Sequence, residues 1–483
     1  MSQTSIKRNF LYNATYQMLL IVVPLVTTPY ISRVLGANQI GLYSYSSAIS
    51  KYFVIFAMLG LSNYGNRSCA MVRNDRKKLS KTFWEIYGMQ FFTSVICIVA
   101  YVFFVTFGII ENKAIYWIWI LYVVSAMLDI SWLFFGVEAF KLTATRNIII
   151  KLGSVACIFL FVKSQSDLWI YVLVVAGSFF LNQLALWPYL SRYVEWYKPT
   201  INGILCHFVP NLVLFIPVVA VSLYKYMDKI MIGFMSTMEQ AGYYEQTEKI
   251  INIPLGLINA LGTVMLPRMS NYAATGNKNK ARDLICKSMI FVCFLSSALA
   301  FGIAGIAPTF TPFFFGDDYT PCILLITAIA PTCIFIAWAN VIRTQYLIPD
   351  KKDKSYIISV SLGAAVNLVV NAALIPGMGA MGAVVGTIFA EGSVCAAQTL
   401  MVRKVLPIPQ YLKNGMPFLV FGILMFFVVR FLGNINMPIM LSLMVQIAFG
   451  ALLYLSLSFA YVYCFHKDLI IALLKLRNEK RGE

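Results

Sequence analysis

An all-α, polytopic membrane protein is the fold class this sequence predicts, and three observations predict it. Of its 483 residues, 60% are hydrophobic and only 12% charged, more apolar surface than a soluble domain can hide. About 14 apolar stretches recur, each close to the ~20 residues a bilayer-spanning helix needs, with short hydrophilic connectors between them. Basic residues gather in every second connector.

The stretches run approximately over 10–34, 40–64, 83–108, 114–136, 146–163, 168–190, 206–233, 241–266, 284–310, 321–346, 355–375, 379–402, 415–433 and 438–464. The first, preceded by Lys7 and Arg8, resembles a signal sequence. It is too long and lacks a small-residue cleavage site, so it is expected to remain as a helix. With the N-terminal side named "inside", the inner connectors and tails hold 27 of the 38 basic residues, including the runs at 73–81, 278–282 and 351–354. The outer connectors hold only Lys113 and Lys163. This bias predicts cytoplasmic termini and an even number of spans. The formal charge of +18 is thereby assigned to membrane topology, and nucleic acid is not an expected partner. The ten cysteines are scattered without a CxxC pair, which points to neither a metal site nor a disulfide frame. The two histidines, His207 and His466, stand at segment ends, so a histidine-based active site is not expected.

Two short segments repeat. Asn38-Gln39-Ile40-Gly41-Leu42-Tyr43 opens the second span, Glu239-Gln240-Ala241-Gly242-Tyr243-Tyr244 opens the eighth, and Arg67 matches Arg268 at the same offset of 201. Six spans separate the copies, an even number, so both halves share an orientation, as in transporters built from parallel repeats. The expected organisation is an N-lobe over 1–200, a C-lobe over 201–405, and two accessory helices with a basic cytoplasmic tail over 406–483. That makes two parallel six-helix lobes and two C-terminal helices.

Charges inside spans are costly, roughly 2.5–3.5 kcal/mol each at a helix centre, and so they mark candidate sites. Arg33, Glu85, Lys151, Lys287, Arg343 and Arg430 lie near span ends, where snorkelling to the interface explains them. The central ones are less easily explained that way. Ser44, Ser47 and Lys51 share a stripe of span two. Lys225 and Lys229 stand four apart in span seven with Asp228 beside them. Glu245, Lys249, Asn252, Gly256 and Asn259 trace a polar face of span eight, with Glu248 adjoining. Ion pairing such as Glu245 with Lys249 would merely glue helices. The four lysines still exceed the nearby acids, and a cationic cavity suits an anionic substrate. Gly363, Asn367 and Asn371, with the glycines at 377–386, are explained by close helix packing.

Several fragments together resemble the bacterial oligosaccharide flippases of the polysaccharide transporter family, in the multidrug/oligosaccharidyl-lipid/polysaccharide superfamily. They are RVLG (33–36) leading into GLYS (41–44), WLFFGVEAFKLTATR (132–146), YMDK (226–229), GYYEQTEKIINIP (242–254), LPR (266–268), TQYLIPD (344–350), Asn367 with Asn371, and residues 382–391. The resemblance implies a two-lobed fold that moves an undecaprenyl-pyrophosphate-linked repeat unit between leaflets of the cytoplasmic membrane by alternating access. It implies a lipid-linked oligosaccharide substrate, contact with membrane lipids and, as a further partner, polysaccharide polymerase machinery. On that basis Lys51, Lys225, Lys229, Lys249 and Arg33 are expected to serve the pyrophosphate and sugars. Asp129, Asp228, Glu248 and Glu391 are the candidates for H⁺ or Na⁺ coupling. No catalytic residue, metal or other cofactor is expected. The alternatives are an ion-coupled multidrug exporter or a peptidoglycan-precursor flippase of the same superfamily. A drug exporter for organic cations would favour a net acidic cavity. A glycosyltransferase or polymerase should show a catalytic carboxylate or a large outer loop, and the sequence offers neither.

Overall fold

In hydrocarbon every backbone N–H and C=O must be satisfied within its own segment, so an apolar chain of this kind resolves into helices. The computed structural model describes residues 3–465, with side chains from Val22 onward except those of Pro217 and Tyr224. Among these residues there is no strand. The basic tail from 466 and the side chains of Lys7 and Arg8 lie outside the described residues.

The helices are α1 (Gln3–Met58), α2 (Leu61–Val72), α3 (Arg76–Phe107), α4 (Lys113–Leu128), α5 (Ser131–Gly136), α6 (Phe140–Phe161), α7 (Leu168–Leu184), α8 (Ile201–Leu205) and α9 (Phe208–Met235). They continue with α10 (Met238–Ala274), α11 (Lys278–Phe315), α12 (Cys322–Ile329), α13 (Thr332–Ile342), α14 (Asp353–Met378), α15 (Ala380–Val402), α16 (Ile408–Gly433) and α17 (Ile439–Phe465). Among the described residues eleven helical stretches are long and apolar enough to cross a membrane. The expected fourteen spans are recovered once three others are recognised. The first stretch holds two spans, because α1 is broken at Gly36 (φ 73°, a conformation glycine adopts without strain). The other two are α4, short because it breaks at Asp129, and α9.

The chain divides into two compact units, residues 1–242 and 243–483, with the boundary inside the first turns of α10. In unit one, α9 packs on α1 and α2. Glycines permit this closeness: a Cβ on Gly60 would lie 2.7 Å from the Asn211 carbonyl oxygen, and one on Gly233 would lie 2.3 Å from the Tyr45 ring. The repeat glycines themselves meet. A Cβ on Gly41 would fall 1.6 Å from the Met238 carbonyl oxygen, and one on Gly242 would fall 1.9 Å from that of Ala37. The duplicated motif thus marks a backbone-to-backbone crossing that admits no side chain at either position.

Two apolar clusters hold unit one. One gathers Leu61, Phe83, Trp132, Phe134 and Leu186, and the other Leu35, Tyr101, Trp119, Val123 and Val172. In unit two, α14 packs along α15 and α11 along α16. Met425, Val429 and Tyr454 close a smaller cluster joining α16 and α17, and the Tyr454 hydroxyl donates to the Phe294 carbonyl at 2.7 Å. Outward-facing Phe103, Phe107, Phe427 and Phe431 are exposed, as lipid-facing side chains are. At the start of α3 the Asp75 side chain accepts from the amides of Lys77 and Lys78, and the Lys78 amide above all holds its carboxyl below the usual range.

Candidate functional site

In unit one the site grows from the second half of α1. Serines at helical spacing turn inward: Trp119 Nε1 donates to Ser46 Oγ at 3.0 Å, and Ser50 Oγ lies 3.1 Å from Tyr101 Oη. These bonds fix the rotation of α1 against α3 and α4, and so place Lys51, half-buried, over α4. Its Nζ donates to Tyr122 Oη at 2.5 Å and stands 5.3 Å from that ring's centroid. Among the described residues no ion pair involves Lys51, and its Nζ is held by a phenol and a π face. Ser44 of the expected stripe is fully buried and belongs to the packing, whereas Ser47 is half-buried.

The neighbouring Tyr52 carries the site onto α9. Its hydroxyl donates to the Ser222 carbonyl at 3.2 Å, and its ring meets Tyr226 edge-on at 6.5 Å. The segment of α9 that bears Lys225, Asp228 and Lys229 is thereby brought to the Lys51 turn of α1. Lys225 is exposed, Lys229 half-buried and Asp228 buried, and both Asp228 and Lys229 engage neighbours. Arg33 is exposed on α1 ahead of the Gly36 break and also has a partner.

In unit two, Lys249 Nζ pairs with Glu245 Oε1 at 3.2 Å, one turn apart on α10, with the carboxylate 9% and the lysine 30% exposed. The internal pairing that the spacing allowed is present, and Lys249 is compensated where Lys51 is not. The same face of α10 runs on through exposed Asn252 to Asn259, which accepts from Asn340 Nδ2 at 2.9 Å. Just beyond α13, residues Arg343–Leu347 form a π-helical turn that runs into the TQYLIPD motif. Such turns concentrate at functional sites.

The expected coupling carboxylates separate by environment. Asp129 occupies the break between α4 and α5, where its Oδ1 accepts from the Ser131 amide at 2.9 Å. Gln90, fully buried, stitches that break, donating to the carbonyls of Ala126 (2.7 Å) and Asp129 (2.9 Å) and accepting from Trp132 Nε1 (3.1 Å). Glu248 is half-buried with a partner, and Glu391 is buried on α15. Among the described residues no group of three or more His, Cys, Asp or Glu side chains could hold a metal ion.

Sequence reasoning missed Tyr122, Tyr52 and Gln90, because an aromatic or amide inside an apolar span reads as packing. Glu85, expected to snorkel, is instead buried against His207 at 3.6 Å.

Residues 6–273 match the family described as "Polysaccharide biosynthesis protein". A protein of Escherichia coli (strain K12) named "Putative O-antigen transporter" is 23% identical over 367 residues, covering 74% of this chain and 86% of that one. The lipid II flippase MurJ of Bacillus subtilis (strain 168) is 25% identical over 193 residues, 35% of this chain and 33% of its own length. The solved inward closed conformation of a lipid II flippase MurJ shares the fold at a TM-score of 0.73 and 16% identity, covering 95% of this chain and all of that one. An inward-facing multidrug-resistance MATE transporter of the MOP superfamily does so at 0.60 and 12%, covering 82% and 97%. By their names these relatives are transporters and flippases, and the chain shares its fold with the two solved structures. By the family match across more than half its length, this multi-pass membrane protein belongs to the family described as "Polysaccharide biosynthesis protein".

Proposed function

We propose that this protein flips undecaprenyl-pyrophosphate-linked oligosaccharide repeat units from the inner to the outer leaflet of the bacterial cytoplasmic membrane, for O-antigen, capsule or a related polymer. Transport is by alternating access, with both termini cytoplasmic as the basic connectors favour. Family membership and the named O-antigen relative support the substrate class. The observation that carries the reading within this chain is the acid-free coordination of Lys51. A lysine within a membrane span whose head group is held by a phenol and not by a carboxylate, on a side chain that is not sealed in, is suited to receive phosphate.

Lys225, Lys229 and Arg33 add positive potential in the same unit. Lys249 serves the pyrophosphate by exchanging Glu245 for a phosphate oxygen. Asp129, Asp228, Glu248 and Glu391 are the carboxylates proposed for an H⁺ or Na⁺ coupling step. Downstream, the polymer-joining machinery is the partner that consumes the flipped unit.

The test is flipping of a defined lipid-linked oligosaccharide in vesicles reconstituted with the purified protein. Transport by wild type, lost in Lys51→Ala at equal protein level, is the expected result. Vesicles that move a peptidoglycan precursor or an organic cation but no lipid-linked oligosaccharide would overturn the substrate assignment.

A further inference from the structure

The end of unit one next to the basic connector at 73–81 contains a cluster of titratable side chains that the site above does not use. Tyr64 on α2, Glu85 on α3 and His207, the residue capping α9, converge there. His207 Nδ1 lies 2.7 Å from Tyr64 Oη, and its Nε2 lies 3.6 Å from Glu85 Oε2. Tyr64 and Glu85 are 7% and 6% exposed, and the His207 side chain 13%. Nε2 is buried and, at 3.6 Å from the carboxylate, has no hydrogen bond of ordinary length. On the far side the carboxylate packs directly on α8 backbone, since a Cβ at Gly203 would lie 2.1 Å from Glu85 Oε1. The cluster therefore ties the α8–α9 corner to both α2 and α3.

Each ring nitrogen of the imidazole faces the same group in either protonation state. When it is neutral, Tyr64 donates to Nδ1 and Nε2–H points at the Glu85 carboxylate. When it is protonated, Nδ1–H donates to the phenol oxygen, the phenol turns its own hydrogen toward Ser68, and the Nε2 contact becomes an ion pair. No partner is lost in the exchange, and the added proton strengthens the hold on α3. The other charged or titratable groups facing the cluster from these elements are Arg67 on α2 and Cys206 at the α8–α9 corner, both acting on the Tyr64 hydroxyl. Lys81, one turn before Glu85 on α3, is exposed.

We propose that Tyr64, Glu85 and His207 form a proton-binding site that fastens the α8–α9 corner to α2 and α3 more tightly when the ring is protonated. Its place in a cycle rests on the transport reading above, where it supplies a proton site distinct from the four carboxylates already named.

The chain has only two histidines, so the site can be read directly. Full-length protein labelled with ¹⁵N-histidine, carrying His466→Gln and held in lipid nanodiscs, leaves one imidazole to follow by NMR from pH 5 to 8. Glu85→Gln is expected to lower the ring's proton affinity by at least about tenfold, the effect of removing an opposite charge at this range. Tyr64→Phe should give a smaller change, since one of the ring's two contacts is lost. Where Glu85→Gln does not fold, Glu85→Asp keeps the charge but withdraws it, and the affinity should again fall. A ring that titrates identically in wild type and in a folded Glu85 variant, or that takes up no proton in this range, overturns the proposal. In vesicles, His207→Gln should flatten the dependence of flipping on pH. Wild-type vesicles that flip no lipid-linked sugar would sink the transport reading and leave the ring titration standing. An unresponsive ring would sink the proton site and leave transport intact.

Discussion

Lys51 and Lys249 stand on the two helices that carry the internal repeat, yet their surroundings differ in kind. Lys51 donates to the Tyr122 phenol, whereas Lys249 is paired with the Glu245 carboxylate at 3.2 Å. At the repeat offset of 201 it is Asn252, not Lys249, that stands at the position of Lys51. The duplicated scaffold has therefore kept its glycine crossing and changed its electrostatics. A phenol leaves an ammonium its full charge and is displaced cheaply by phosphate. A carboxylate neutralises the ammonium and must be exchanged for the substrate. Under the proposed transport function the first lysine would act as a standing anion receptor, and the second as part of the fold until substrate competes for it.

The sharpest way to break the comparison is to truncate each lysine. Lys51→Ala should reduce flipping of lipid-linked oligosaccharide by about 30-fold or more, near 2 kcal/mol, the scale of removing one partner from a desolvated charge contact. Its thermal unfolding in detergent should stay close to wild type, because no buried charge is orphaned. Lys249→Ala should do the reverse. It strips Glu245 of this counter-charge, and the expected cost is about 1–3 kcal/mol, below that of a fully buried pair because Lys249 is 30% exposed. Adding Glu245→Gln should return the melting temperature toward wild type. Equal melting temperatures for Lys249→Ala and Lys51→Ala would erase the distinction.

The fold was legible because its signals are the cheapest to read: apolar length, alternating basic connectors and a six-residue repeat. The lysines proposed for the site also stood out in the sequence as charges near span centres, although Lys249 has the Glu245 pairing that its spacing allowed. The partner of Lys51 did not. Tyr122 looks like any aromatic of an apolar helix, and only the rotation fixed by Ser46 and Ser50 puts its hydroxyl under Lys51. Glu85 and His207 lie 122 positions apart and near span ends, where snorkelling is the economical reading. That reading failed because Gly203 lets α8 close over the carboxylate, a fact of backbone approach that no periodicity records.

A gentler change sharpens the Lys51 side. Tyr122→Phe removes the phenol oxygen but leaves the ring, so the cation–π contact survives and the hydrogen bond does not. The expected loss is about 1 kcal/mol, the net worth of one such bond, or roughly fivefold in transport. If a phenylalanine there raises transport instead, Tyr122 competes with the substrate for the ammonium and does not hold it ready.

The smallest effect expected is on α9. Lys225 is exposed and Lys229 half-buried, and Tyr52 ties their segment to the turn that carries Lys51. Charges so placed act through potential, which screening by salt weakens, and not through a single desolvated contact. Replacing both with Gln should slow flipping by about threefold at low salt, on the scale of a fraction of a kcal/mol per exposed charge, and by less at high salt. Replacing both with Arg keeps the charge and changes only the shape of the head group, so transport should stay near wild type. If the Arg pair is as slow as the Gln pair, it is the shape of the lysine head groups that counts, through packing or specific contacts. Lys51 would then be the one ammonium in unit one whose charge the substrate reads.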